Sequence, residues 1–138
     1  MINLELLSRV LPILAKSNLA SVDLHYIKSH IQNQESTNIH GNVRLSESKS
    51  ILEIFLYSLD KQGNAIIRAV WVAPQLRRRG TAVKLLRNLC KKNKQNNKLT
   101  TARISYTDDR LGIVKLLVKS GFRFIRYVPS LNYSEYGA

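Results

Sequence analysis

The chain has 138 residues, of which 44% are hydrophobic, and carries 22 Lys and Arg against 9 Asp and Glu, with a single cysteine. This length is sufficient for one ordinary core, so we expect one domain over residues 1–138 and exclude a second catalytic domain. One cysteine excludes an internal disulfide and the common zinc fingers. Because Glu5 and Arg9 interrupt the only apolar N-terminal segment, we expect a soluble, cytoplasmic protein with no membrane association.

The charge is distributed unevenly along the chain. Residues 1–60 carry five basic and six acidic side chains, whereas residues 61–138 carry seventeen basic and three acidic ones. Between Lys61 and Thr107 there is no acidic residue. This asymmetry predicts a positive field over one face, suited to a polyphosphate, a nucleic acid or an acidic protein, and the alternative is a solvated surface that serves solubility.

Hydrophobic periodicity and turn signals divide the first half of the chain. The predicted elements are helices over 4–16 and 21–32, a polar loop over 32–38, strands over 39–45 and 51–59, and a strand over 65–72 joined to its predecessor by a turn at 60–63. Pro12 is placed to start, kink or break the first helix, and a short strand is the alternative there. The turn predicts an antiparallel hairpin.

The second half alternates helices and strands. Its predicted elements are a helix over 80–94, a strand over 99–106, a helix over 109–120, a strand over 122–128 and a last extended piece over 131–136. Gly121 is the expected C-cap of the second of these helices. Helices, a β meander and then alternating elements predict an α/β (α+β) domain, with a sheet covered by helices.

The junction between the strand at 65–72 and the next helix is the segment that carries chemistry. It reads VWVAPQLRRRGTA over residues 70–82, which places a loop of small and basic residues directly before an amphipathic helix. The first turn of a helix has backbone N–H groups without partners and the positive end of the helix dipole. The loop therefore predicts an anion site, while the glycines of a dinucleotide fold and the motif of a P-loop are both missing.

At this junction the sequence resembles the GNAT superfamily of acyl-CoA-dependent N-acyltransferases. The matching positions are Val70, Val72, Pro74, Arg77, Gly80 and Ala82. The resemblance implies that acetyl-CoA is the cosubstrate, that the strand end at Trp71 and Val72 pairs with the pantetheine arm, and that the loop N–H groups hold the CoA pyrophosphate. The implied cofactor-binding residues are Trp71, Val72, Arg77, Arg78, Arg79, Gly80, Thr81 and Ala82.

The resemblance covers roughly residues 51–128, the expected CoA-binding core, and ends in Gly121-Phe122, which matches a closing Gly-Phe of the family. Residues 1–50 are the divergent part, where family members set acceptor specificity. The implied fold is a mixed, mostly antiparallel sheet flanked by helices, with a V-shaped cofactor cleft between two central strands.

The sequence departs from the family at two positions: Leu117 replaces the Tyr that usually protonates the departing thiolate, and Arg110 replaces an Asn that helps bind the cofactor. Residues 66–70 also offer no carboxylate as a general base. The remaining catalytic candidates are Glu53, Tyr106 and Asp108. The alternatives are a solvent-facing strand residue for Glu53, a rim aromatic for Tyr106 and a helix N-cap for Asp108 or Asp109.

A basic stripe lies along the helix that follows Gly80. Its members are Lys84, Arg87, Lys91 and Lys94, with Lys92, Lys98 and Arg103 expected nearby. Such a stripe is suited to tRNA or other RNA, to DNA or to an acidic protein, and the alternative is a solvated helix face. Cys90 lies on the apolar side and is expected in the core. His25 and His30 do not share a helix face, so no metal site is expected.

Two functions are compatible with this pattern. The first is an N-acetyltransferase that moves an acetyl group from acetyl-CoA to an amine of a macromolecular or anionic acceptor, since a positive field opposes a cationic polyamine. The second is a catalytically inactive protein of GNAT-like fold that binds nucleic acid or an acidic protein through its basic face. The loop at Gly80 and Ala82 favours the first function, and the missing Tyr favours the second.

Overall fold

The structure is a computed structural model, which describes residues 2–16, 24–33, 38–105 and 110–138. Within these ranges the helices are α1 (Leu4–Ala15), α2 (Leu24–Gln32), α3 (Thr81–Gln95) and α4 (Leu111–Lys119), with a short 3-10 helix at Pro74–Leu76. The strands are β1 (His40–Leu45), β2 (Ile51–Leu59), β3 (Ala65–Val72), β4 (Thr100–Ser105), β5 (Arg123–Val128) and β6 (Tyr133–Gly137). No helix in these ranges has both the length and the hydropathy to cross a bilayer.

The described strands form one six-stranded sheet in the order β1-β2-β3-β4-β6-β5. Neighbouring strands are antiparallel except β3 and β4, which are parallel. One hydrophobic cluster packs α3 and α4 against the sheet, and a second cluster packs α1 and α2 against β1, β2 and β3 on the other face. The predicted mixed, mostly antiparallel sheet flanked by helices is therefore confirmed.

The start and the buried face of α1 follow from its local sequence. Asn3 accepts a hydrogen bond from the Leu6 backbone N–H at 2.8 Å and so caps α1. Its buried residues Leu7, Val10 and Leu14 follow helical spacing. Pro12 lies inside the helix, so the alternatives of a break or a short strand at this position are wrong.

The hairpin between β2 and β3 forms as predicted from its turn residues. Asp60 Oδ1 accepts hydrogen bonds from the backbone N–H groups of Gln62 and Asn64, both at 2.9 Å. Gly63 has a φ of +86°, which L side chains rarely adopt. The bond from the Asn64 backbone, together with those from the Asn64 side chain and the Gln62 backbone, lowers the pKa of the Asp60 carboxyl by stabilising its charged form.

Candidate active site

The sheet opens between its two parallel strands. β3 and β4 pair only over Ala65–Ile67 and Thr100–Ala102, although β3 continues to Val72 and β4 to Ser105. Beyond the last pair, each strand is held only by its outer neighbour, β2 for β3 and β6 for β4. The result is a V-shaped cleft whose vertex lies at Ile67 and Ala102, as the sequence resemblance implied.

The loop that leaves the end of β3 is fixed to that strand. Arg77 donates a hydrogen bond from Nε to the carbonyl oxygen of Val72 at 2.8 Å. Arg78 and Gly80 have φ angles of +65° and +76°, so two residues of the loop are in the left-handed region before α3 begins. Arg77, Arg78 and Arg79 are all exposed, and they surround the loop with positive charge.

The N-terminus of α3 is built as an open cradle. Gly80 is the N-cap residue, no side chain caps the helix, and no acidic residue lies in the first turn. The first helical bond runs from the Lys84 N–H to the Gly80 carbonyl at 3.0 Å, so the N–H groups of residues 81–83 precede it. A Cβ placed on Gly80 would meet no heavy atom within 4 Å. This space, bordered by backbone N–H groups and arginines, fits a pyrophosphate.

The strand end that precedes the loop is divided between the two faces of the sheet. Val72 is buried, and its carbonyl is occupied by Arg77. Trp71 is half-buried and packs against the α1–α2 cluster. The implied role of both residues beside the pantetheine arm stays a prediction.

Glu53 is buried, in contrast to the solvent-facing alternative. Its residue exposure is 7%, and its Oε1 accepts a hydrogen bond from Arg44 Nε at 2.6 Å. Its Oε2 is buried without a partner among the described residues. Glu53 lies opposite Val72 in the β2–β3 register, one strand away from the cleft. The ion pair with Arg44 supports a structural role, and proton transfer by Glu53 stays a prediction.

Two of the three catalytic candidates, Tyr106 and Asp108, lie outside the described residues. In sequence they follow the end of β4 at Ser105. Leu117, at the position of the usual Tyr, is 1% exposed and packs in the core between α4 and the sheet. A leucine there supplies no proton donor and instead contributes to the apolar cluster. Arg110 is the N-cap residue of α4 and makes no capping hydrogen bond through its side chain.

The basic stripe of α3 is exposed at all four of its members. Three of them, Arg87, Lys91 and Lys94, line an open groove of about 440 Å³ that continues to Ser120 at the end of α4. Arg87 also donates a hydrogen bond to the Lys119 carbonyl at 2.8 Å. The groove therefore lies between α3 and the end of α4.

Cys90 belongs to the core cluster, as predicted. Burial raises the pKa of its thiol, and the hydrogen bond with Thr100 and the charge of Lys94 only partly oppose that effect. A thiol in this state is a poor nucleophile at neutral pH.

Sequence reasoning missed two arginines at the vertex of the cleft. Arg68 and Arg103 each follow the last paired residue of their strand, Ile67 and Ala102. Arg68 donates a hydrogen bond to Ser58 at 2.8 Å, and its guanidinium lies 3.7 Å from the centre of the Tyr26 ring. Arg103 was expected beside the α3 stripe, and this expectation is wrong because the alternation of β4 places it on the opposite face of the sheet from α3. A charged residue within each apolar strand was the only available signal.

Comparisons with known proteins agree with this geometry. Residues 65–110, about a third of the chain, match the family model described as ESCO1/2 acetyltransferase. None of the curated proteins matches the chain in sequence.

Several solved structures share the fold. A GNAT-family protein from Desulfovibrio desulfuricans has a TM-score of 0.65 at 14% identity, covering 83% of this chain and 77% of its own. A variant of the spermidine N-acetyltransferase SpeG from Vibrio cholerae has a TM-score of 0.65 at 11% identity, covering 99% and 90%. A Bacillus subtilis acetyltransferase in complex with CoA has a TM-score of 0.50 at 11% identity, covering 67% and 71%. The fold is that of the GNAT acetyltransferases, and the chain resembles this superfamily in sequence and structure.

Proposed function

We propose that the chain is an N-acetyltransferase that moves an acetyl group from acetyl-CoA to an amine of a macromolecular or anionic acceptor. The observation that supports it is the combination of an open parallel strand pair with an uncapped helix N-terminus directly after the strand end. The CoA found in the similar Bacillus subtilis structure supports the choice of cosubstrate. In a protein that binds nothing at this junction, a closed strand pair and a capped helix N-terminus would be more stable than the open arrangement.

In this proposal each part of the junction has one task. The N–H groups of residues 81–83, together with Arg77, Arg78 and Arg79, hold the pyrophosphate, and Gly80 leaves the space it needs. The exposed backbone edge of β3 near Val72 orients the pantetheine arm of CoA. It also offers a backbone N–H to the thioester carbonyl oxygen, where negative charge develops during attack by the amine. Bound acetyl-CoA supplies the acetyl group as a thioester.

The transfer needs a neutral amine and an acceptor for its proton. Tyr106 and Asp108 follow β4 directly, so they are the candidates for proton transfer at the cleft. With Leu117 in the core, the thiolate leaves without the usual Tyr, and a thiol of pKa about 8.5 is a tolerable leaving group. Orientation in the cleft then contributes much of the rate.

The acceptor is inferred from charge. The formal net charge of +13 opposes the approach of a cationic polyamine, so the substrate named for the Vibrio cholerae protein does not transfer to this chain. An acceptor with negative charge near its amine is attracted by the same field.

The first test is calorimetric titration with acetyl-CoA near physiological salt, with wild type compared to Gly80→Asp. The aspartate would place a carboxylate in the cradle, so we expect micromolar binding by wild type and at least a hundredfold loss in the variant. Gly121→Asp is the matched control, because Gly121 also has a positive φ, at +98°, with nothing within 4 Å of its Cβ position. Equal affinity for ATP, or equal loss in both variants, would refute the cradle.

A second candidate function, binding of nucleic acid or an acidic protein without catalysis, is favoured by the groove lined by Arg87, Lys91 and Lys94. Replacing these three residues and Lys84 by Glu would weaken RNA or DNA binding and reduce its salt slope. A matched set of exposed lysines outside the stripe, Lys16, Lys28, Lys61 and Lys115, controls for net charge. If both sets weaken binding equally, the attraction is nonspecific.

A further inference from the structure

The vertex of the cleft has a polar side chain that the proposed cradle does not use. Arg103 is the first residue of β4 beyond the pairs with β3, between the core residues Ala102 and Ile104. Because side chains alternate along a strand, Arg103 points to the other face of the sheet, away from α3 and α4. It therefore lies where the opening between the strands meets that face.

On this face Tyr26 of α2 lies over Arg68, on the β3 side of the vertex, whereas the apolar cluster of α1 and α2 does not extend to β4. The cluster that α1 and α2 form on this face contains residues of β1, β2 and β3, and none of β4, β5 or β6. The residues next to Arg103 on this face come from β6: Glu135 opposite it in the register, and Tyr133, whose ring centre is 5.6 Å from the guanidinium carbon. An acceptor reaching the vertex from this side would meet Arg103.

Arg103 forms no ion pair with any residue that the structure describes. Its Nε is buried and has no hydrogen-bond partner among the described residues. The nearest carboxylate by register, Glu135, lies instead 3.7 Å from Arg126 on the neighbouring strand. A buried donor without an acceptor is costly, and a planar guanidinium is matched by a carboxylate that binds it through two parallel hydrogen bonds.

From this arrangement we infer that Arg103 is an acceptor-binding residue, and that the acceptor carries a carboxylate close to its reactive amine. The inference rests on the proposed transferase function and narrows its acceptor class. The ring of Tyr133 supports the guanidinium from one side and leaves its edge for the ligand.

The test uses two peptides that differ only in the carboxylate, Gly-Glu-Gly amide and Gly-Gln-Gly amide. Their binding is measured by calorimetry with and without saturating CoA, and acetyl transfer to each is measured with acetyl-CoA. We expect wild type to bind the Glu peptide at least about tenfold more tightly than the Gln peptide. In Arg103→Gln this ratio falls to about one, and the loss in transfer is expressed in KM.

Arg123→Gln is the matched control, since Arg123 is exposed on β5 and its replacement removes the same charge at Gly137, two residues along β6 from the residue opposite Arg103. It should keep the tenfold preference. The inference is overturned if wild type binds neither peptide or shows no preference, or if the preference survives in Arg103→Gln. If wild type prefers the Glu peptide but does not bind acetyl-CoA, the result supports the carboxylate site and refutes only the proposed transferase function.

Discussion

The ion pair between Arg44 and Glu53 allows a structural role to be separated from a catalytic one. The side chain of Glu53 is 10% exposed and that of Arg44 is 49% exposed. Replacing Arg44 by Met removes the only described partner of the buried Glu53 carboxylate. In a fully buried ion pair, removing one partner costs about 3–5 kcal/mol of stability. Since water reaches half of the Arg44 side chain, we expect about 2 kcal/mol here, or roughly 8 °C in Tm.

Two further variants complete the comparison. Glu53→Gln keeps the shape and a hydrogen bond to Arg44, so it should cost about 1 kcal/mol. The double variant Arg44→Met with Glu53→Met removes both charges and should lie within about 1 kcal/mol of wild type. Urea unfolding of all four proteins, read as midpoint and slope, measures these differences.

The reasoning fails if Arg44→Met lies within about 0.5 kcal/mol of wild type, or if the double variant is less stable than Arg44→Met. Acetyl transfer by Glu53→Gln is then measured at a temperature where the variant is folded. A structural role predicts an unchanged kcat, whereas a fall of about a hundredfold would identify Glu53 as the general base.

Two further substitutions, each with a control, and one chemical modification test the packing of the domain. Gly41→Ala should destabilise the chain by about 3 kcal/mol, because Gly41 has a φ of +121° and an added Cβ would lie 1.9 Å from the Phe55 carbonyl oxygen. Its control is Gly63→Ala, where the atoms nearest the added Cβ belong to the flexible Lys98 side chain. This control should cost about 1 kcal/mol in the same urea assay. Asn93→Ala removes the 2.7 Å hydrogen bond to the fully buried Thr100 hydroxyl and should lower the free energy of unfolding by about 1–3 kcal/mol. Asn88→Ala, on the exposed face of α3, is the control. An equal loss of stability in the two variants would contradict the prediction. Cys90 should react with iodoacetamide only slowly at neutral pH, with a pH midpoint above that of a free thiol because burial disfavours the thiolate; a midpoint at or below the free-thiol value would show that Cys90 is not buried in solution.

Local patterns were sufficient for the elements and for the cradle. The strand predicted over 51–59 is observed at Ile51–Leu59, and the helix predicted over 80–94 at Thr81–Gln95, because apolar spacing and the turn residues between them are local signals. Gly80 was identified from the loop pattern, and its positive φ explains why a glycine stands there.

The vertex could not be predicted from the sequence, because it depends on where a strand pair ends. The run AIIRAVWV shows an arginine in a strand, but the bulge in the β2–β3 register is a tertiary feature. The register passes there from Leu56 opposite Ala69 to Tyr57 opposite Ile67, so Arg68 is the additional residue of β3. Arg103 was placed by its distance along the chain from the basic helix. The pleat of β4 reverses that placement, since a shift of one residue changes the face of the sheet.

The open strand pair also explains how the cleft persists without a ligand. β3 pairs with β2 on both sides of the bulge, and β4 pairs with β6 from Thr101 to Ser105, so each strand keeps a ladder of hydrogen bonds on its outer side. The loop after β3 is held to Val72 by Arg77, which keeps α3 at the mouth of the opening. These contacts hold both sides of the opening within the protein itself, so an extended arm that pairs with the edge of β3 gains main-chain hydrogen bonds at little cost in protein ordering. In the same way, Arg103 is held in place by Tyr133 and its strand, so the binding energy of an acceptor carboxylate is available for orienting the amine toward the thioester.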